Sequence, residues 1–185
     1  MSQRDRVKWD AKYAERREPG EPSPWLAAFE RFLPASGAAL DVAGGAGRNA
    51  LWLARRGLAV TLVDISGEAL AIARAHAGAL PLRTLALDLD TDPLPSGPWD
   101  VIACIAFLDR RVYGTFPSLL APGGVLVVVH PTETNLERHA SPPREYLLAP
   151  GDLGTFTDGL EVLVSDEGWS LEDRHLARLV ARKPK

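Results

Sequence analysis

The segment Ala39-Leu40-Asp41-Val42-Ala43-Gly44-Gly45-Ala46-Gly47-Arg48-Asn49-Ala50 joins an apolar strand, a carboxylate, a glycine-rich turn and the start of a helix within one short stretch. Few arrangements satisfy all four at once. Glycines let the backbone turn sharply and approach a ligand where a Cβ would obstruct it. The helix beginning near Arg48 aims its first, unpaired N–H groups at the same point. The segment therefore predicts a nucleotide-type cofactor site at the carboxyl end of a strand.

The same alternation recurs along the chain. A helical stretch over Asn49 to Arg56 leads to an apolar run, Ala59 to Val63, and then to a helical stretch from Ser66 to Ala77. Strands are expected at Leu82 to Leu87, Asp100 to Ile105 and Gly124 to His130, with a helix over Arg111 to Leu120 and a stop at Pro131. Short apolar runs separated by helical crossovers predict buried parallel strands in a doubly wound α/β sheet. Upstream, a charged helix carrying Trp9 and Tyr13, a proline-bearing loop from Arg17 to Pro24 and a helix from Trp25 to Leu33 predict a helical cap over residues 1–34. Downstream, Thr132 to Ala149 is polar and lacks a sustained period, which predicts a loop or lid within residues 131–157. Gly159 to Val164 and His175 to Ala181, separated by Ser165 to Ser170, predict an antiparallel pair closing the sheet.

Composition narrows the function classes. A chain of 185 residues, 46% hydrophobic, suits one domain with a buried core. The 21 basic and 24 acidic residues give a formal charge of -3, which argues against nucleic acid or an anionic membrane as partner. Cys104 is the only cysteine, and four scattered histidines offer no zinc-ligand spacing, so no metal is expected. The longest apolar runs are far too short to cross a bilayer. These features predict a cytoplasmic protein, monomer or homodimer, with a small-molecule substrate.

Two cofactor readings compete for the glycine turn. Gly45 to Ala50 satisfies the GxGxxG/A dinucleotide pattern, and Asp64, nineteen residues beyond Gly45, stands where a ribose-binding acid belongs. Asp41 separates the readings, because a carboxylate there repels a pyrophosphate and attracts a cationic, phosphate-free cofactor such as S-adenosylmethionine. Asp64 can accept hydrogen bonds from both ribose hydroxyls; its plainer role is a helix N-terminal acid favoured by the dipole. Asp88 can accept the adenine amino group while Leu89 covers the ring, against the plainer reading of a solvated strand-end acid. Cys104 reads as a small buried hydrophobe rather than a nucleophile.

These residues resemble the class I S-adenosylmethionine-dependent methyltransferases, and among them the small bacterial tellurite-resistance type. The likeness is carried by Trp9-Asp10-Ala11-Lys12-Tyr13, the Leu40 to Ala54 block, Val60 to Ser66, Leu120-Ala121-Pro122-Gly123-Gly124 and Tyr146 to Leu153. It implies a Rossmann-like, seven-stranded, mostly parallel sheet in one domain, residues 1–185. It further implies that Asp41 and the Gly44-Gly45-Ala46-Gly47 backbone hold the methionine part of the cofactor and Asp64 the ribose, with Ala43, Asn49 and Ile65 also among the cofactor-binding residues. Asp88 and Leu89 would hold the adenine, the Cys104 backbone would face the methionine amino group, and Tyr13 would reach the cofactor carboxylate. S-adenosylhomocysteine would be the product. The chain departs from the family pattern in two places: Ala43 stands where the first turn glycine is common, and the tail lacks the His-Arg pair associated with oxyanion-handling relatives.

Methyl transfer needs alignment and water exclusion more than a base, since the sulfonium is already an excellent leaving group. Candidates for lining the acceptor pocket are Phe107, Arg110, His130, Arg144 and Tyr146, all just after strand ends or in the expected lid. The acceptor expected is a small molecule or an inorganic anion. Two alternatives are an NAD-dependent oxidoreductase using the Gly45 to Ala50 fingerprint and a catalytically silent S-adenosylmethionine-binding module.

Overall fold

A computed structural model of the chain describes residues 3–185; the first two residues of the expected N-terminal cap lie outside the described residues. Seven strands form one sheet: β1 (Gly37–Val42), β2 (Leu58–Asp64), β3 (Leu82–Ala86), β4 (Trp99–Ile105), β5 (Leu120–Pro131), β6 (Glu161–Trp169) and β7 (His175–Arg182). Their order is β3-β2-β1-β4-β5-β7-β6. The first five are parallel, and β7 runs antiparallel to both β5 and β6. The doubly wound sheet with an antiparallel end is thus the one expected, and the chain reverses direction across β1 and β4, where ligands of such sheets bind.

Alternation along the strands divides the core into two layers. Leu40, Val42, Ile102, Cys104, Leu126 and Val128 face one side, against Tyr113 and Phe116. Ala39, Val60, Leu62, Val101, Ala103, Val125 and Val127 face the other, against Leu26, Ala50, Leu53, Leu70 and Ala73. Each fully buried leucine or valine contributes about 1.5–3 kcal/mol, so both layers anchor the strand ends firmly. The helices of the second layer are α2 (Pro24–Ala28), α3 (Arg48–Arg55) and α4 (Gly67–Ala77). Ser66 starts α4, its hydroxyl accepting the Ala69 amide at 3.1 Å, and Gly78 ends it at a φ of 54°. α1 (Gln3–Ala14) packs across α4.

Several expected boundaries shift. The helix expected over Trp25 to Leu33 is α2 followed by a single 3₁₀ turn at Glu30–Phe32, because Phe29 leaves helical geometry at ψ 7°. The helix expected over Arg111 to Leu120 is two four-residue pieces, α5 (Arg110–Tyr113) and α6 (Phe116–Leu119). Pro117 explains the break: it has no N–H to donate, and in a continuous helix its ring would press on the Tyr113 carbonyl. β6 runs on through Ser165 to Trp169, residues expected to form the turn, so the hairpin closes instead over residues 170–174. Residues 132–157, expected as a loop or lid, form three 3₁₀ turns that insert Leu147, Leu148 and Leu153 into the core. Among the described residues no helix is long and apolar enough to cross a membrane.

Candidate functional site

β1, β2 and β3 end side by side, with Val42 level with Val63 and Asp64 level with Ala86. The turn after β1 is tied back at once: the Gly44 amide donates to the Val63 carbonyl at 3.2 Å, and the Gly47 amide to the Gly44 carbonyl at 3.1 Å. Gly45 and Gly47 take φ values of 57° and 81°, the left-handed region that glycine enters without strain. Ala43 lies at φ 51° as well. An alanine there costs about 1–2 kcal/mol, so the position occupied by glycine in the family pattern is strained in this chain.

Asp41 is fully buried, and neither carboxylate oxygen has a hydrogen-bond partner among the described residues. Burial raises its pKa to about 7; the Ala50 amide of α3 offsets part of that without completing a hydrogen bond, and Asp64 adds to the rise. One oxygen lies so close to Gly44 that any side chain there would collide with it. Asp64, also buried, is differently served: Gly45 N–H donates to Oδ2 at 2.8 Å and Ser66 N–H to Oδ1 at 2.9 Å. Burial still raises its pKa, against the opposing bonds from the Ser66 and Gly45 amides. A carboxylate offers about four lone-pair positions, so Asp64 keeps capacity for two hydroxyl donors. The side chain of Ile65 is itself buried.

α1 reaches this edge from outside. The Tyr13 hydroxyl rests on Gly45, where a Cβ would collide with it. Burial and the Asp64 charge raise its pKa. Asp10, which the sequence left without a role of its own, accepts the Ser66 hydroxyl at 2.7 Å and the Glu68 amide at 3.3 Å. The signal for it is the i,i+3 spacing of Asp10 and Tyr13, which puts both on one face of a helix.

The other expected cofactor residues divide between structural and site positions. Asn49 is buried and its Oδ1 accepts the Ser23 amide at 2.9 Å, fastening the segment before α2 onto α3. Asp88 follows β3 and shapes its own turn, accepting the Asp90 amide at 3.1 Å. Leu89 is buried in the same core layer as Leu40 and Val42. Cys104 is level with Val42, fully buried, with its thiol pKa driven up by burial, as a structural cysteine should be.

The acceptor-side candidates occupy the ends of β4 and β5. Ala106, at φ 63°, is a second strained alanine. The next carbonyl, Phe107, receives both the Tyr113 hydroxyl and the Cys104 thiol, which fixes this turn. His130 is buried at 5% exposure; its Nε2 lies 2.9 Å from the Tyr146 carbonyl, while Nδ1 has no partner among the described residues. Burial lowers its pKa to about 4, with the Arg110 charge acting in the same direction. The Tyr146 ring instead projects outward, 56% exposed, because its 3₁₀ turn directs the following leucines inward. Arg144 pairs with Glu133, and Arg110 with Asp152, each arginine more than half exposed. So the structure places Phe107 and His130 at the ends of adjacent strands and holds Arg110, Arg144 and Tyr146 at the surface.

A polar network with no signature in the sequence pins the expected lid. Asn135 Nδ2 donates to the carbonyls of Thr132 and His175, and its Oδ1 accepts the His175 amide at 3.1 Å. The Thr132 hydroxyl and His175 Nδ1 are 2.7 Å apart. Nearby, buried Arg178 forks onto Asp166 and stacks on Trp25. Among the described residues no cluster of His, Cys, Asp and Glu could hold a metal ion.

The strand order and the glycine turn define an α/β fold of the class I methyltransferase type, and known proteins agree. Residues 39–124, a little under half of the chain, match the family described as a methyltransferase domain. An uncharacterized methyltransferase of Mycobacterium bovis is 37% identical over 95 residues, covering 49% of this chain and 48% of its own. The match thus spans about half the length of that relative. TehB from Haemophilus influenzae superposes with a TM-score of 0.73 at 20% identity, covering 95% of this chain and 67% of the other. A SAM-dependent methyltransferase from Methanosarcina mazei gives 0.69 at 17% identity, covering 89% and 99%. At these identities the solved structures establish the fold alone.

Proposed function

We propose that this chain is an S-adenosylmethionine-dependent methyltransferase acting on a small molecule or a simple inorganic anion. The observation that carries this reading is Asp41: a fully buried carboxylate with no hydrogen-bond partner among the described residues, at the end of β1 and against the glycine turn. A cation completes such a site, and a pyrophosphate is repelled by it, which weighs against the dinucleotide reading. S-adenosylmethionine brings an α-ammonium group, two ribose hydroxyls and, on its sulfonium, the methyl group to be transferred.

The residues present fit those parts. Asp41 and the turn amides would hold the amino-acid part, Asp64 with its spare lone pairs the ribose, and Asp88 the adenine amino group. Tyr13 and Asp10, both on α1, would close over the cleft and exclude water, which strengthens every charge interaction beneath. The likeness of the sequence blocks to tellurite-resistance-type enzymes supports an oxyanion among the acceptors; the missing His-Arg pair weighs against it.

Calorimetric titration with S-adenosylmethionine and S-adenosylhomocysteine tests the proposal. Sub-millimolar binding of both is expected, and silence at millimolar ligand would overturn it. Binding without turnover in a broad screen for homocysteine release would favour a silent binding module, the reading that strained Ala43 motivates.

A further inference from the structure

His130 has a property that its sequence position did not reveal. Its Nε2 faces a carbonyl oxygen, that of Tyr146, at 2.9 Å, and only a protonated nitrogen can bond there. In the neutral ring Nδ1 is then a bare lone pair, and it is buried with no donor among the described residues. Leaving such an acceptor unmet costs about 1–3 kcal/mol. The ring is held neutral near pH 7 by its burial and by the Arg110 charge. It sits beside the strained end of β4: the Ala106 amide bonds the carbonyl of Val129, the residue before His130. Strained, over-determined backbone of this kind concentrates at working sites.

We infer that His130 Nδ1 accepts a hydrogen bond from the methyl acceptor, so that the substrate is a neutral hydroxyl, thiol or amine rather than an oxyanion. The inference rests on the methyltransferase reading and chooses between the two acceptor classes that it leaves open. A lone pair facing the acceptor attracts an X–H donor and repels the oxygens of an anion. In transfer, X gives its lone pair to the methyl carbon while the carbon–sulfur bond breaks and sulfur keeps that pair. The X–H proton is held on Nδ1 and released to solvent, which a weakly basic imidazole does readily. Buried Arg178 is paired to Asp166 and His175 to Thr132, so neither competes for this role.

Nitrogen NMR of the histidine-labelled full chain, saturated with S-adenosylhomocysteine and titrated with phenol, 2-mercaptoethanol, aniline or sulfate, tests this. Near pH 7 the free protein should show His130 protonated at Nε2 and bare at Nδ1. At least one X–H probe should shift the Nδ1 resonance, and sulfate should leave it in place. His130→Phe should weaken that probe about tenfold, the loss of one hydrogen bond. His130→Asn, which can put an oxygen acceptor at the Nδ1 position, should restore most of it, and both variants should keep their affinity for S-adenosylhomocysteine. A protonated Nδ1, a resonance indifferent to every X–H probe, or an equal response to sulfate overturns the inference. Failure of wild-type protein to bind S-adenosylhomocysteine sinks the underlying cofactor reading instead, and it shows in the first titration, before any acceptor is added.

Discussion

The two ends of the sheet treat buried polar groups in opposite ways. At the β1–β2 end, Asp41 is buried with both oxygens unmet and Asp64 is partly met, by amides of its own turn and its neighbour's. At the β5–β7 end, Thr132, Asn135 and His175 satisfy one another across about forty residues of chain, as the 40-residue separation of the Asn135–His175 bonds shows. Unmet groups are costly and persist where a ligand supplies the missing partner; met groups fix a shape. The first end is therefore built to receive something, and the second to hold a wall in place. His130, on β5 but with a ring nitrogen unmet, belongs chemically with Asp41.

The sharpest way to break this contrast is to remove the unmet charge. With its pKa raised to about 7, Asp41 binds a proton in the folded protein more tightly than in the unfolded chain. Its contribution to stability should thus fall as pH rises from about 4 to 7, by about 4 kcal/mol at 1.36 kcal/mol per pKa unit, most of it offset in the wild type by the opposite slope of His130. Asp41→Asn should remove that contribution, leaving stability that rises between urea melts at pH 5 and pH 8 because of His130, and should lose S-adenosylmethionine binding by about a hundredfold. In the wild type, a cationic ligand must ionise Asp41, so affinity should climb with pH up to about 7 and binding should release a proton into the buffer. A pH-independent affinity would contradict the role given to Asp41.

His130 offers the mirror image. Its pKa falls to about 4, so stability is intact above its unfolded value and is lost as pH drops from about 6.5 towards 4, about 3 kcal/mol in all. His130→Asn should remove this acid sensitivity without changing the slope that Asp41 sets. At the met end, Asn135→Ala removes the acceptor of the His175 amide and one of the two donors to each of the Thr132 and His175 carbonyls, and should cost about 1–3 kcal/mol. If it instead cost nothing in denaturant melts, the wall would not depend on that network. The smallest effect belongs to Ala43→Gly. Relief of the left-handed alanine, less the extra flexibility of glycine in the unfolded chain, should raise stability by about 0.5–1 kcal/mol, visible as a small increase in Tm.

The parts of the site that can be read from the sequence are those where chemistry and chain order coincide. Asp41, the glycine turn and Asp64 lie at the ends of consecutive strands, so a motif with one spacing places them together. Local pattern misleads at Pro117, which divides an otherwise helical crossover, and at Ser165 to Trp169, where polar residues on an exposed edge strand look like a turn. At Tyr146 the aromatic ring draws the eye, but the backbone carbonyl is what engages His130.

By itself the sequence determined the alternation of strand and helix and the carboxylates at the strand ends, because periodicity and turn chemistry are local properties. Only the tertiary structure decided which of those groups are met. That Asp41 stays unpaired while Asp64 is held by Gly45 and Ser66, that Nδ1 of His130 is bare, and that Ala43 and Ala106 are strained all depend on partners brought from distant segments. Hydrogen-bond satisfaction is settled by what packs against a group, and no spacing within the chain encodes it.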